Sequence, residues 1–312
     1  TLRNLPSTEC AHTHTHTLTH THTHTHTAMP GKQRFRRKPR SRYTTLSDGT
    51  VFIVDRCYDN LRLLGSGAYG TVCRALHTDN GNTIAIKKIP GISDKGIPAE
   101  LDEWVRVLRE LRCLRQLNHR NIISLLDLIP PPLRDSVLCD IYIVTPSMPY
   151  DLCRWIRDRS TEINPVYILY QILSALNHIH ESGITHRDIK PSNVLIDENQ
   201  HVKLCDFGMA RATEDVEEVC GLSNYVVTRW YRPPELLCGV DAYGDKIDIW
   251  SVGCVFAELL TREPLFPGES SMDQLKQILR YTGLPSDDDA VSRVCSDATR
   301  REKLRRVAAG IS

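Results

Sequence analysis

One stretch of the chain restricts its fold more than any other. His186-Arg187-Asp188-Ile189-Lys190-Pro191-Ser192-Asn193 is followed, after a short apolar run, by Asp206-Phe207-Gly208. Two carboxylates, two cations and an amide are thus placed close together with only loop-length spacing between them. That set suits phosphoryl transfer. The reaction needs little covalent help, but it needs positioning, a metal ion and positive charge around a spreading negative one. Asp188 can accept the proton of an attacking hydroxyl and orient it. Lys190 can neutralise the phosphate being transferred. Asn193 and Asp206 offer hard oxygen ligands suited to Mg²⁺. Arg187 is a cation beside the catalytic Asp, available to a phosphorylated loop. Each of these residues alone could be an ordinary loop residue, but their order and spacing together point to one chemistry.

Two upstream features complete the set. Gly65-Ser66-Gly67-Ala68-Tyr69-Gly70, followed by Val72, lies between two strand-like runs. Glycines let the backbone approach phosphate oxygens and aim N–H groups at them. A dinucleotide-binding turn would be followed by a helix, whereas here a strand pattern follows. Ile84-Ala85-Ile86-Lys87 then puts a lysine inside an apolar strand, which is costly unless the charge is paired. Nucleotide phosphates would be one partner and a helix carboxylate the other. Glu110 is the best placed carboxylate, with Glu100 and Glu103 nearer the helix start and read as surface residues.

Periodicity supplies the frame. Tyr58 to Arg74 reads as two strands joined by a loop, and Thr83 to Ile89 and Ile141 to Thr145 as further strands. Leu101, Val105, Leu108, Leu111 and Leu114 recur at helical spacing. Pro165 to Glu181 is amphipathic, opened by proline and closed by Gly183. Ile247 to Leu260 is apolar almost all round and predicts a buried helix. A strand-rich beginning and a helical remainder imply an α+β fold of two unequal lobes, with residues 51–147 forming the first lobe and hinge and 148–312 the second.

From about Tyr58 the chain resembles the eukaryotic protein kinases, and among them the group that holds mitogen-activated and cyclin-dependent kinases. The marks of that group are Thr228-Arg229-Trp230-Tyr231-Arg232-Pro233-Pro234-Glu235, Asp248-Ile249-Trp250-Ser251-Val252-Gly253-Cys254 and Leu265-Phe266-Pro267-Gly268. The first run is most similar to mitogen-activated kinases, though male-germ-cell-associated and cyclin-dependent-like kinases share it. The resemblance implies a five-stranded N-lobe with one long helix, a mainly helical C-lobe, and ATP with Mg²⁺ between them. It implies that Gly65, Gly67, Gly70, Val72, Ala85, Lys87, Thr145 at the gatekeeper position, Met148 and Asp151 surround the nucleotide, with Cys205 lining the pocket. Asp188, Lys190, Lys87 and Glu110 would be catalytic, and Asn193 and Asp206 would hold the metal. Ser223 and Tyr225 would be loop phosphorylation sites, with Arg187, Arg211, Arg229 and Arg232 as their cations.

The pattern departs from that family in three ways. The activation loop reads Ser223-Asn224-Tyr225 where Thr-x-Tyr is usual, and Pro233-Pro234-Glu235 stands for Ala-Pro-Glu. The sequence ends at Ser312, where the resemblance implies further C-lobe helices, so the C-lobe is expected to be incomplete. Lys190, two residues after Asp188, favours serine or threonine over tyrosine as the acceptor. The resemblance implies protein substrates with Ser/Thr-Pro sites, an upstream activating kinase and phosphatases as partners. The competing reading is a non-catalytic scaffold. Its usual signature is loss of the strand lysine, the loop aspartate or the Asp206-type aspartate, and all three are present.

The remaining features are compositional. His and Thr alternate from His12 to Thr27, broken at Leu18. A CA dinucleotide repeat reads CAC-ACA, and one base change in CAC gives leucine. Residues 1–28 are therefore expected to be translated leader or a gene-model artefact, with a metal-binding tract as the alternative. Residues 32–42 hold seven Lys or Arg in eleven positions, so 29–50 is read as a basic disordered tail, with a nuclear-localisation or acidic-partner patch as the alternative. The 312 residues carry a net charge of +1, which argues against bulk attraction to nucleic acid or membrane. The eleven cysteines form no Cys-x-x-Cys pair, which disfavours structural zinc and suggests a reducing compartment; the expected location is cytoplasmic, with the nucleus open through the basic run.

Overall fold

The computed structural model describes residues 41–67, 70–91, 98–129, 140–212, 229–239, 243–295 and 297–310. They open on a hairpin, β1 (Ser41–Thr45) paired antiparallel with β2 (Val51–Asp55). This corrects the tail boundary expected at residue 50. Asp48 and Gly49 make the turn: the Asp48 carboxylate accepts the Thr50 N–H at 2.9 Å, and Gly49 takes φ +85°. Alternation along β2 then buries Phe52 and Val54 with Leu46, a gain a disordered tail cannot make.

The main sheet holds β3 (Tyr58–Gly67), β4 (Gly70–His77), β5 (Thr83–Ile89), β6 (Asp127–Ile129) and β7 (Ile141–Pro146), in the order β3-β4-β5-β7-β6, all antiparallel. Val72 opposes Lys87, Lys87 opposes Ile143, and Ala85 opposes Thr145. Side chains alternate between faces along a strand. Val72, Ala85, Lys87 and Thr145 therefore share one face, while Ile84 and Ile86 point to the other and pack with Phe52, Tyr142 and Val144.

Helix α1 (Pro98–Gln116) crosses from β5. Its inward face differs from the expected stripe. Val107, Glu110, Leu111 and Leu114 are buried, whereas Val105 and Leu108 are exposed. Apolar residues at 104, 105, 107 and 108 lie on both sides of the helix, so spacing alone does not set its rotation.

The helical body begins with β8 (Tyr150–Asp151), α2 (Leu152–Arg157) and α3 (Pro165–Glu181). Asn164 caps α3 by accepting the Tyr167 N–H at 3.1 Å, and Gly183 ends it at φ +69°. Short strands β9 (Ile184–Thr185), β10 (Val194–Ile196), β11 (Val202–Leu204) and β12 (Arg211–Ala212) carry the loops of the site. Then come α4 (Pro234–Leu237), α5 (Lys246–Thr261), α6 (Ser271–Thr282), α7 (Asp288–Val294) and α8 (Ala298–Ala309).

Helices α3 and α5 form the centre of the core through Ile168, Ile172, Leu176, Ile179, Val252, Val255 and Leu259. Helix α5 is not buried all round. Ile249, Gly253 and Leu260 lie on one exposed stripe. Among the described residues no helix is long and apolar enough to cross a membrane.

Candidate active site

The glycine run sits where β3 turns into β4. Gly67 pairs with Gly70 and Gly65 with Val72; Ala68 and Tyr69 lie outside the described residues. Gly70 is required by the sheet itself. It takes φ +113°, and a Cβ there would meet the Lys88 carbonyl oxygen at 2.0 Å. A Cβ on Gly65 would meet nothing within 4 Å, so that position faces open space, as a site for phosphates needs.

On the same sheet face the Lys87 ammonium meets the Glu110 carboxylate at 2.7 Å. Burial pulls the Lys87 ammonium down, but the Glu110 and Asp206 carboxylates outweigh it and the net shift is upward. Burial pushes the Glu110 carboxyl up, against the pull of Lys87 and with the help of Asp206. Lys87, Glu110, Asp206, Gly208 and Asp188 line one cavity together with Val107 and Arg106 of α1. Glu110 is thus a carboxylate that meets the lysine; the side chains of Glu100 and Glu103 lie outside the described residues.

The second half of the site is built on backbone. The Asp188 carboxylate accepts from the Lys190 ammonium at 2.8 Å and from the Asn193 amide at 2.9 Å. The Asn193 amide also donates to the Asp188 carbonyl at 2.8 Å. With its N–H groups so used, the side-chain oxygen of Asn193 is left as the group able to face a cation. Arg187 and Asp206 both take left-handed φ, 71° and 63°. A non-glycine residue adopts this only where surrounding contacts hold it there. For Arg187 the holder is Asp248 of α5, which accepts the backbone N–H of His186 and of Arg187, each at 2.8 Å. His180 of α3 lies 2.8 Å from the same carboxylate. His186 packs its ring on Phe207 at 4.9 Å and reaches the Cys205 carbonyl at 3.2 Å, tying the Asp188 loop to the Asp206 loop.

Sequence reasoning placed Asp248 only as a family mark and missed its role. The available signal was a charge inside an otherwise apolar helix. It also missed Arg109. Burial pulls the Arg187 guanidinium down, Tyr243 opposes this, and Arg211 and Arg109 pull it down further. Arg109 of α1 and Arg211 of β12 thus both act on the charge of Arg187. Arg187 lies over the Tyr243 ring at 5.1 Å. The Arg232 guanidinium is pulled down by burial and held up by Asp188. Arg232 lines a second cavity with Arg187, Asp188, Pro233 and Leu236. Arg229 donates to the Glu269 carbonyl at 3.0 Å. Ser223 and Tyr225 lie outside the described residues.

The other residues expected to face the nucleotide follow. Thr145 is near the end of β7 and Met148 just beyond it. One Asp151 oxygen caps α2 by accepting the Arg154 N–H at 2.8 Å, leaving the other for a ligand. The Cys205 thiol lies 3.4 Å from the Asn193 carbonyl. Burial, followed by Asp206 and Glu110, pushes it far above the usual thiol range, so it behaves as a packed apolar residue. Half-burial likewise pushes the Glu235 carboxyl up.

A sheet with one lysine-paired helix, joined to a helical body that presents Asp188 and Asp206, thus faces one cavity. The chain belongs to the protein kinase domain family, whose model matches residues 58–300. It is 45% identical over 244 residues to "Mitogen-activated protein kinase 1" of Oryza sativa subsp. japonica, covering 77% of this chain and 59% of the relative. It is 44% identical over 256 residues to "Mitogen-activated protein kinase 6" of the same organism, covering 81% and 65%. To "Mitogen-activated protein kinase 6" of Arabidopsis thaliana it is 42% identical over 258 residues, covering 78% and 63%. The chain thus spans less than two thirds of the length of these relatives.

Proposed function

We propose that the chain carries an ATP-dependent protein serine/threonine kinase of the mitogen-activated type. On this reading it is proline-directed and switched on by phosphorylation of Ser223 and Tyr225. The observation that carries it is the joint presence of the Lys87–Glu110 pair at 2.7 Å and the Asp188–Lys190 pair at 2.8 Å around one cleft. The donor set fits Mg·ATP: an ammonium for phosphates, and the Asn193 amide oxygen and Asp206 carboxylate as hard oxygen ligands. When bound, the nucleotide supplies the phosphoryl group and the cation spreads its charge.

The chain's own residues do the rest. Asp188 orients the acceptor hydroxyl and takes its proton, held in place by Lys190 and Asn193. Lys190 remains beside it to offset the growing negative charge. Lys87 holds phosphate oxygens, with Glu110 fixing its direction. Arg187, Arg211 and Arg109 form the cationic centre on which a phosphate at Ser223 would order the loop. Arg229 and Arg232 would serve phosphorylated Tyr225, with Arg232 also shaping the pocket for proline.

The test is a peptide array phosphorylated by the protein after activation by an upstream kinase. Ser/Thr-Pro peptides are expected to be preferred, and Ser223→Ala and Tyr225→Phe to lower turnover. Undiminished activity in both variants, or indifference to the residue after the acceptor, would leave a kinase without the mitogen-activated mode of control.

A further inference from the structure

Outside the cleft, a small apolar cluster closes the end of the helical body. Its buried members are Cys238, Leu275, Leu279, Val291, Cys295 and Leu304. Cys238 caps the C-terminus of α4 and Cys295 that of α7, so two separate helix ends bring their cysteines into one cluster. Cys295 is fully buried and Cys238 is 9% exposed. Helices α4 and α7 are in contact there, and both cysteines pack into the one cluster.

The flanking backbone is held in place by arginines of α8. Arg300 donates to the Cys238 carbonyl at 2.9 Å and to the Gly239 carbonyl at 3.0 Å. Arg301 donates to the Cys295 carbonyl at 3.2 Å. The Cys295 thiol is also 3.7 Å from the Asp297 carbonyl. Both cysteine backbones are thus held by α8 at the place where α4 and α7 meet.

We propose that Cys238 and Cys295 form a dithiol that hydrogen peroxide closes to a disulfide and a thiol reductant reopens. Cys238, the more exposed, attacks first as its thiolate. Its sulfur takes one peroxide oxygen as the O–O bond breaks, giving a sulfenic acid, and the other oxygen leaves as water. The Cys295 sulfur then attacks the sulfenic sulfur, the S–O bond breaks, and a second water leaves. Two thiol protons and two electrons are transferred to one peroxide, and one S–S bond forms.

Burial, with the neighbouring Cys295 thiol, pushes the Cys238 thiol up to about 12. The thiolate is scarce while the cluster is closed. Oxidation therefore proceeds through local openings of this end of the protein, with the rate set by opening. Once formed, the bond ties α4, which follows the Arg232–Pro233 wall of the second cavity, to the α7–α8 end.

The test reads covalent chemistry and does not depend on kinase turnover. The full chain, reduced and then treated with hydrogen peroxide, is unfolded in iodoacetamide and digested with trypsin without reduction. Cleavage after Arg229 and Lys246, and after Arg293 and Arg300, puts each of the two cysteines in a peptide with no other. The expected result is a linked peptide pair, residues 230–246 with 294–300, that disappears on dithiothreitol treatment. In Cys295→Ala, Cys238 is expected to stop at the sulfenic acid, trapped by dimedone. Recovery from the wild-type protein of both peptides singly alkylated, singly oxygenated or linked to other cysteines would overturn the proposal, whether or not the variant folds.

Discussion

The Lys87 ammonium lies 2.7 Å from the Glu110 carboxylate, and this contact joins the central strand of the sheet to the one long helix packed on it. Both groups are largely buried, so neither charge is tolerable without the other. The contact forms only because α1 turns Val107, Glu110, Leu111 and Leu114 inward together. Helix rotation and catalytic geometry are therefore one property of the lobe.

Lys87→Met is expected to lower peptide phosphorylation on the order of 100-fold or more, by removing the charge that on the proposed reading holds the nucleotide phosphates. It also leaves Glu110 buried beside Asp206, at a cost of about 3–5 kcal/mol. That cost shrinks at lower pH, because Glu110, already pushed up by burial, then takes a proton. Denaturant unfolding at two pH values, with Lys87→Met/Glu110→Gln as comparison, checks both parts. The double variant should recover stability and not activity.

Asp188→Asn and Asp206→Asn should separate. Asp188 is held by Lys190 and Asn193 and on the proposed reading serves the acceptor hydroxyl, so its loss should lower kcat with ATP affinity little changed. Asp206 faces the Lys87–Glu110 pair and the proposed cation, so its loss should weaken Mg²⁺-dependent nucleotide binding. Equal effects on both parameters in both variants would contradict these separate roles.

Gly70→Ala should destabilise the fold by roughly 1–3 kcal/mol or more from backbone strain alone, because the new Cβ would fall 2.0 Å from the Lys88 carbonyl oxygen. Gly65→Ala meets no neighbour and should leave the melting temperature nearly unchanged while weakening ATP binding. Equal melting temperatures for the two variants would count against this division.

His119 predicts a pH dependence. Its Nδ1 accepts the Asn121 N–H at 3.2 Å, its Nε2 lies 3.3 Å from the Ser174 hydroxyl, and its ring stacks on His178 at 5.3 Å. Burial, then His178, Arg120 and Lys203, lower its pKa. The unfolded chain therefore binds a proton more readily than the folded one. Stability from this site is fully present above the ordinary imidazole value of about 6.5 and is lost as pH falls through the lowered folded value. A His119→Gln variant should show a flatter fall in melting temperature over that range than the wild type; parallel curves would place the titration elsewhere.

Local residue patterns already mark which groups could carry the proposed chemistry and most of the elements that hold them. The strand of Lys87, helix α3 with its Pro165 start and Gly183 stop, and the loops of Asp188 and Asp206 were legible because period, proline and turn signals act within a few residues. The tertiary structure decided the rest. The stripe expected through Val105 and Leu108 of α1 is solvent-facing, because apolar residues on both sides left its rotation to packing against the sheet. The Ser41–Asp55 hairpin forms because Phe52 and Val54 find a core made by β5 and β7. Asp248 holds the backbone of residues about sixty positions earlier, and Arg109 approaches Arg187 only once two lobes meet. Such contacts join segments distant along the chain, and a side chain's partner there is set by how whole elements pack, which no local pattern of residues encodes.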